Sequence, residues 1–241
     1  RANALRQELE ALLKGSTGQK KQKAKGPDLT LPGRRFTKSL DHPFHSTMFE
    51  IIDIWKSLGF EIADGPDVDT IYNNYDALNT PPDHPARTEE DTFYLNQPDL
   101  LLRTQTSPVQ IRVMKKEKPP IKIIAPGKCY RRDTVDATHY FSFHQVEGLY
   151  VDKNVSMADL KGVLITFAKR IIGPHAQIRF RPHFFPFTEP SVEYDFSCIC
   201  NGKDPNCRIC KGTGWVEISG AGMVDPNVLT NCNLDPDIWS G

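Results

Sequence analysis

Three segments of the chain carry apolar residues at the three- and four-residue spacing of an amphipathic helix. Residues 3–13 predict the tail of a helix too short to form a core alone, with a stripe made of Leu5, Leu9, Leu12 and Leu13. Residues 43–58 predict a second helix, which begins at a proline and stops before a glycine. Ser156 and Asp159 form the sequence signature of a capping box, so a third helix is predicted from there to Gly173.

Shorter apolar runs, several with alternating polar residues, predict strands at 60–66, 121–131, 143–151, 176–182 and 215–219. Strands punctuated by helices without regular βαβ alternation indicate an α+β domain with a mostly antiparallel sheet. In one strand the alternation places Phe143, Gln145 and Glu147 on the same face. Such a face is typical of a binding surface, although a hairpin whose polar side meets water explains this segment equally well.

The composition places the chain among globular proteins of catalytic size. It has 241 residues, 39% of them hydrophobic and 25% charged, enough to bury a substantial core. Thirty basic residues balance thirty acidic ones, so contact with nucleic acid must use a local patch. No membrane-spanning run or signal peptide is evident, which predicts a cytoplasmic protein, although the start looks truncated.

Two regions are predicted from these patterns. Residues 1–30 are interpreted as the end of a helical arm followed by a lysine- and glycine-rich linker, which is either solvated or touches RNA phosphate. Residues 31–241 are interpreted as the folded core.

Four cysteines in the segment "CICNGKDPNCRICKGTG" predict a small metal-binding insert at 197–214. Four thiolates form a closed tetrahedral zinc site, and the glycines permit the tight turns that point them inward; the ligands are Cys198, Cys200, Cys207 and Cys210. The first pair is C-x-C rather than C-x-x-C, so an iron–sulfur cluster or metal-free thiols remain alternatives. Cys129 and Cys232 are interpreted as buried thiols.

Five ordered motifs carry a resemblance to a known family: "DHPF", "LLRTQTSPVQIR", "THYFSFHQVEGL", "FRPHFFPFTEPS" and "GAGMVDPNVL". Together they resemble the alpha chains of bacterial phenylalanyl-tRNA synthetases, which are class II aminoacyl-tRNA synthetases. The resemblance runs from about residue 31 to residue 241. It implies the class II antiparallel sheet flanked by helices, and ATP-dependent activation of phenylalanine followed by its transfer to the terminal adenosine of a tRNA.

The resemblance implies an ATP site built on the second class II motif. Arg131 corresponds to the arginine that stabilises charge at the α-phosphate, a role suited to a planar guanidinium. Asp133 stands where the family usually has glutamate, and His139 corresponds to an ATP contact in the motif 2 loop.

The resemblance also implies a phenylalanine pocket. Its polar groups hold the substrate ammonium and carboxylate directly or through water, and they correspond to Gln105, Ser107, Gln110, Gln145 and Glu147. Gln105 stands where the family often has histidine. Phe185 and Phe187 correspond to aromatic walls of the pocket, although phenylalanines taken singly are more often core. Glu189 corresponds to a magnesium ligand, with a capping carboxylate as the alternative.

The same resemblance predicts partners. A phenyl pocket rejects the additional hydroxyl of tyrosine only by about 100-fold, which calls for an editing partner. The family supplies editing in a beta subunit, in an assembly of two alpha and two beta chains that binds tRNA for phenylalanine. A third motif, whose arginine holds the ATP γ-phosphate, is not found up to residue 241, so these 241 residues, even when mixed with the beta partner, are expected to be inactive in pyrophosphate exchange. A non-catalytic RNA-binding paralogue and a class II synthetase for another amino acid are the rival interpretations.

Overall fold

The computed structural model describes residues 2–16, 42–136 and 139–241. The first helix, α1 (Ala2–Ser16), belongs to a unit separate from residues 42–241. It confirms the predicted helix at 3–13, and all four stripe leucines are exposed on it. The first three residues of the predicted linker, 14–16, belong to α1, and the rest of it lies outside the described residues. None of the described helices is both long enough and apolar enough to cross a bilayer.

The unit 42–241 alternates helices with strands. The helices are α2 (Pro43–Ser57), α3 (Ile71–Asn74), α4 (Ser107–Lys116), α5 (Met157–Ile171) and α6 (Pro226–Asn231), with 3-10 turns at Asp76–Leu78 and Pro85–Arg87. The strands are β1 (Glu61–Ile62), β2 (Val68–Thr70), β3 (Leu100–Leu102), β4 (Ile121–Tyr130), β5 (Ser142–Val151), β6 (Ile178–Phe185), β7 (Thr188–Ser197) and β8 (Trp215–Val224).

The strands form three small sheets. One has the order β1-β4-β5, with β1 parallel and β5 antiparallel to β4; the second is the β2-β3 pair; the third is the antiparallel sheet β6-β7-β8. The predicted α+β class with mostly antiparallel pairing is confirmed. Among the described residues, β5 pairs through one edge only and β8 does likewise, and residues of both strands line one cavity.

Two core clusters lie on opposite faces of β4. Ile123 packs with residues of α4, β5 and α6, whereas Ile124 packs with Trp55 of α2, the apolar face of α5 and residues of β7. Cys232 is buried in the first cluster, as its interpretation as a structural thiol requires.

The helix boundaries follow local sequence signals. The predicted capping box of Ser156 and Asp159 is present at the start of α5. Gly59 follows Leu58, the C-cap of α2, and has a φ of +86°, which glycine adopts without steric cost. The strand predicted at 60–66 is wrong in extent, because only Glu61–Ile62 pair with β4 before the chain turns at Gly65 and Pro66. Helix α4 was not predicted.

Candidate active site

A cavity of about 370 Å³ lies between the β4-β5 hairpin and the sheet β6-β7-β8. Eight of the predicted site residues line it together: Gln105, Ser107, Gln110, Arg131, Gln145, Glu147, Phe185 and Phe187. The volume is in the range of small-molecule sites. Residues that are far apart in sequence therefore meet in one place, as an amino-acid pocket requires.

A half-buried carboxylate lies among the polar groups that line the cavity. Glu147 accepts hydrogen bonds from the Thr106 backbone N–H (3.1 Å), the Ser107 hydroxyl (2.6 Å) and the Gln110 side-chain amide (2.7 Å). Burial raises the pKa of the Glu147 carboxyl above its ordinary value, and these hydrogen bonds act against that shift. A cationic ligand group would stabilise the ionised form and remove part of the burial cost.

Helix α4 places two of these donors. Ser107 is its first residue and Gln110 lies one turn further, so both side chains point to the same side as the helix N-terminus. Thr106 is the N-cap residue of the helix, and its backbone N–H donates to Glu147. A pattern of side chains in the sequence does not predict this backbone contact. The positive end of the helix dipole faces the carboxylate, which favours negative charge there.

The pairing of β4 with β5 fixes the position of the Gln145 side-chain amide, which lies near Glu147. Gln145 lies two residues before Glu147 on the same face of β5 and opposite Gly127 of β4. Its Oε1 accepts from the Cys129 thiol at 3.1 Å, and burial raises the pKa of that thiol to about 12, so the proton stays on sulfur. With Oε1 engaged, the Nε2 amide is the end that presents a donor to a ligand.

Arg131 follows β4 and supplies the cation at the cavity. Its Nε donates to the Thr104 carbonyl at 3.1 Å, and its guanidinium lies 5.0 Å from the centre of the Phe143 ring. One nitrogen is thereby anchored while the remaining donors of the fork are left to bind an anion. Gln105, in the same segment as Thr104, donates to the Asn74 carbonyl at 3.4 Å.

Two of the predicted apolar residues in the cavity lining are aromatic. The rings of Phe185 and Phe187 are stacked, with centroids 5.7 Å apart and an interplanar angle of 18°. Phe187 also packs partly buried against the first core cluster, so the wall and core interpretations both apply to it. A cavity lined both by these polar groups and by stacked rings could hold an aromatic amino acid.

Three predicted residues lie outside the cavity lining. Asp133 and His139 are exposed in the connection between β4 and β5, where the His139 ring contacts Asp136 at 3.0 Å. That carboxylate raises the pKa of the His139 imidazole. Glu189 is exposed near the start of β7.

A buried arginine joins the segments that carry the site. The Arg103 guanidinium, 3% exposed, donates to the carbonyls of Lys128 (2.7 Å) and Gly65 (3.0 Å) and pairs with Asp67 at 3.1 Å. Sequence reasoning missed this residue, because arginine is normally a surface residue. A Cβ at Gly127 would collide with the guanidinium, so a glycine is needed there.

The four predicted zinc ligands meet in the connection between β7 and β8. Their sulfur atoms all lie within 4.8 Å of one another, and the Sγ atoms of Cys198 and Cys207 are 3.8 Å apart. A tetrahedron with Zn–S bonds of about 2.3 Å has sulfur–sulfur edges of about 3.8 Å, so the arrangement fits the metal. Gly214 donates its backbone N–H to the Cys210 sulfur at 3.3 Å, a contact that favours a thiolate.

Comparison with known proteins places the chain in a family. Residues 27–241 match the model of the tRNA synthetases class II core domain (F). The phenylalanine–tRNA ligase alpha subunit of Caldicellulosiruptor bescii is 58% identical over 92% of this chain, and the chain spans 65% of that relative's length. The subunit of the same name from Clostridium perfringens is 52% identical over the whole chain, which spans 72% of it.

A solved structure agrees in fold. The pyrrolysyl-tRNA synthetase of Desulfitobacterium hafniense aligns over 82% of this chain and 64% of its own, with a TM-score of 0.59 at 14% identity, a likeness of fold alone. The family match and the two close relatives agree with the motifs that line the cavity. The chain therefore belongs to the family of phenylalanine–tRNA ligase alpha subunits, which is built on the class II tRNA synthetase core domain.

Proposed function

We propose that this chain carries the site at which phenylalanine is activated by ATP and then transferred to the terminal adenosine of its tRNA. The observation that carries the proposal is the cavity itself, which is lined both by Glu147 with its three donors and by the stacked rings of Phe185 and Phe187. A substrate with an ammonium group and a phenyl ring complements both.

In this proposal the chain's residues act mainly by holding the substrates in line. Glu147 binds the substrate ammonium, and Ser107 and Gln110 keep the carboxylate of Glu147 fixed. The Nε2 of Gln145 and the side chain of Gln105 bind the substrate carboxylate or its water. Arg131 binds the α-phosphate and stabilises the charge that develops there as the carboxylate attacks.

The remaining ATP contacts are proposed from the family resemblance. Asp133 and His139 lie in the connection after Arg131, where binding of ATP would draw them toward the nucleotide. Glu189 is proposed as a ligand of Mg²⁺, which when bound would supply charge neutralisation for the triphosphate. The proposed partners are the beta subunit, in a two-plus-two assembly, and tRNA for phenylalanine, with the cytoplasm as the location.

The test is ATP–pyrophosphate exchange by the complete alpha subunit together with its beta partner, run with each of the twenty amino acids. We expect exchange with phenylalanine, and with tyrosine at about a hundredth of its efficiency. Exchange that prefers another amino acid would refute the substrate. Tight tRNA binding without exchange for any amino acid would favour the RNA-binding paralogue instead.

We further propose that Cys198, Cys200, Cys207 and Cys210 bind one structural Zn²⁺. The spacing of the sulfur atoms and the donor from Gly214 support this proposal. Structural zinc in small sites is bound with about 10–16 kcal/mol of apparent free energy, so one equivalent should copurify. The segment lies between β7 and β8, two strands whose residues line the cavity. Removal of the metal should therefore destabilise the ends of β7 and β8 next to the zinc site without removing a group that takes part in the reaction.

Metal analysis and thiol titration test the zinc proposal. We expect one zinc per chain, four thiols that react only after denaturation, and a lower melting temperature in Cys207→Ser. The matched control is Cys232→Ser, which should destabilise the first core cluster without changing the metal content. Purified folded protein with no zinc and four reactive thiols contradicts the proposal, and iron with visible absorbance would identify a cluster.

A further inference from the structure

Two glycines of β8, Gly220 and Gly222, lie among the residues that line the cavity. They are separated by one residue, so both face the same side of the strand; Ala221 between them also lines the cavity and packs against the second core cluster. Neither has a positive φ, so any residue could adopt their backbone conformation. The reason for glycine at these positions must therefore be space.

The space at Gly220 is taken by an aromatic wall of the pocket. A Cβ placed on Gly220 would overlap the Phe185 ring at Cε2 and Cζ. At Gly222 a Cβ would lie 2.6 Å from the Thr188 Cβ and 2.7 Å from the Pro190 carbonyl oxygen. The segment that contains Phe185 and Thr188 thus rests directly on the backbone of β8.

The Phe185 ring has little freedom to avoid a new methyl group. Its other neighbours are the stacked Phe187 ring and the His183 ring, whose centroid is 4.7 Å away. The backbone N–H of Phe185 donates to the Ser191 hydroxyl at 3.3 Å, and that hydroxyl donates to the Thr188 carbonyl at 2.6 Å. A movement of the ring must therefore come from its side-chain torsions.

We propose that Gly220 is a specificity-determining residue of the amino-acid site, because its missing side chain sets the position of the Phe185 wall and hence the width of the pocket. This inference rests on the proposed function. With a methyl group at position 220, the ring must shift by about 1 Å to regain ordinary carbon–carbon separation. The shift is away from β8, and because Gly220 and Phe185 both line the cavity, we expect it to make the pocket narrower.

The experiment measures pyrophosphate exchange by the complete enzyme carrying Gly220→Ala. A misplacement of about 1 Å in a binding wall costs up to about 100-fold, so kcat/KM for phenylalanine should fall about 10- to 100-fold. Exchange with leucine, which needs less width, should fall less, so the ratio of phenylalanine to leucine drops. An unchanged ratio overturns the proposal, because a merely structural defect lowers kcat/KM for both amino acids by the same factor.

Two further variants keep the test sharp. Phe185→Leu removes the ring atoms that would meet the new methyl group. Adding Gly220→Ala to Phe185→Leu should therefore lower kcat/KM for phenylalanine by less than about threefold. If the losses from the two substitutions simply multiply, positions 220 and 185 are not coupled, and the proposal is overturned. Gly162→Ala is the matched control, because Gly162 lies in α5 and a Cβ there would have no neighbouring atom within 4 Å. In this variant the ratio of phenylalanine to leucine exchange should stay unchanged.

The outcomes separate this inference from the proposed function. If the wild-type enzyme prefers an amino acid other than phenylalanine, the proposed substrate is wrong, and the coupling of positions 220 and 185 is measured with that amino acid. If the wild-type enzyme activates phenylalanine but Gly220→Ala keeps its kcat/KM and selectivity, only the inference about Gly220 fails.

Discussion

Replacing Glu147 by glutamine removes a charge from the cavity and keeps the shape of the side chain. The three groups around it can re-pair, because the Ser107 hydroxyl can rotate and the Gln110 amide can turn over, while the Thr106 N–H still meets an oxygen. The fold should therefore remain stable, and the substitution should lower the affinity for the ligand. A hydrogen bond to a charged group is worth about 1.5–3 kcal/mol, so binding of phenylalanine should weaken about 10- to 150-fold.

The assay compares two ligands by calorimetric titration of the complete enzyme. L-phenylalanine carries the ammonium group and 3-phenylpropanoate lacks it. Glu147→Gln should therefore weaken the binding of L-phenylalanine and leave the binding of 3-phenylpropanoate unchanged. Glu117→Gln is the matched control, because Glu117 is an exposed carboxylate that follows α4. Equal weakening of both ligands, or of neither, would show that Glu147 does not bind the ammonium.

The pH dependence of stability gives a second measurement on the same variant. Because burial raises the pKa of Glu147 in the folded state, its contribution to stability is fully present below the unfolded value of about 4.3. That contribution is lost as the pH rises through the folded pKa, by up to about 1.4 kcal/mol per pH unit. Urea unfolding of the ligand-free wild type should therefore lose stability relative to Glu147→Gln from about pH 4.3 upward; parallel curves would contradict a raised pKa.

Two other substitutions test the cationic and the aromatic residues of the cavity lining. Arg131→Lys keeps a positive charge but loses the planar fork, so the exchange rate should fall about 100- to 1000-fold while phenylalanine binding changes little; an unchanged rate removes Arg131 from the mechanism. Phe187→Ala should weaken the preference for phenylalanine over leucine in exchange and lower the melting temperature, because Phe187 both lines the cavity and packs on the core. Lower stability with unchanged selectivity would show that Phe187 is a core residue only.

Much of the site could be predicted because it lies on one strand and in short motifs. Alternation alone places Gln145 and Glu147 on one face of β5, and the structure confirms that both line the cavity. The convergence of that strand with Ser107 and Phe185 came only from the family resemblance, because no local pattern specifies which distant segments meet.

Helix α4 escaped prediction for a physical reason. The helix is only ten residues long, and Val109, Ile111 and Val113 alternate with polar residues, a period that is typical of a strand rather than of a helix. The available signal was the pair Ser107-Pro108, since proline is favoured in the first turn of a helix. Reading that signal would also have revealed the Thr106 N–H as a donor at the helix N-terminus.

The arrangement of Arg103 explains how such distant pieces form one rigid site. Its side chain bonds the turn at Gly65 to the end of β4, and its backbone carbonyl accepts from the Tyr130 N–H, directly before the cation Arg131. The same segment continues through Thr104, which anchors Arg131, to the donors at the start of α4. A guanidinium satisfies several carbonyls at fixed angles, whereas a lysine would act as a point charge. Arg103 is buried and is not itself among the residues that line the cavity, yet it connects the segments that carry Arg131 and the start of α4.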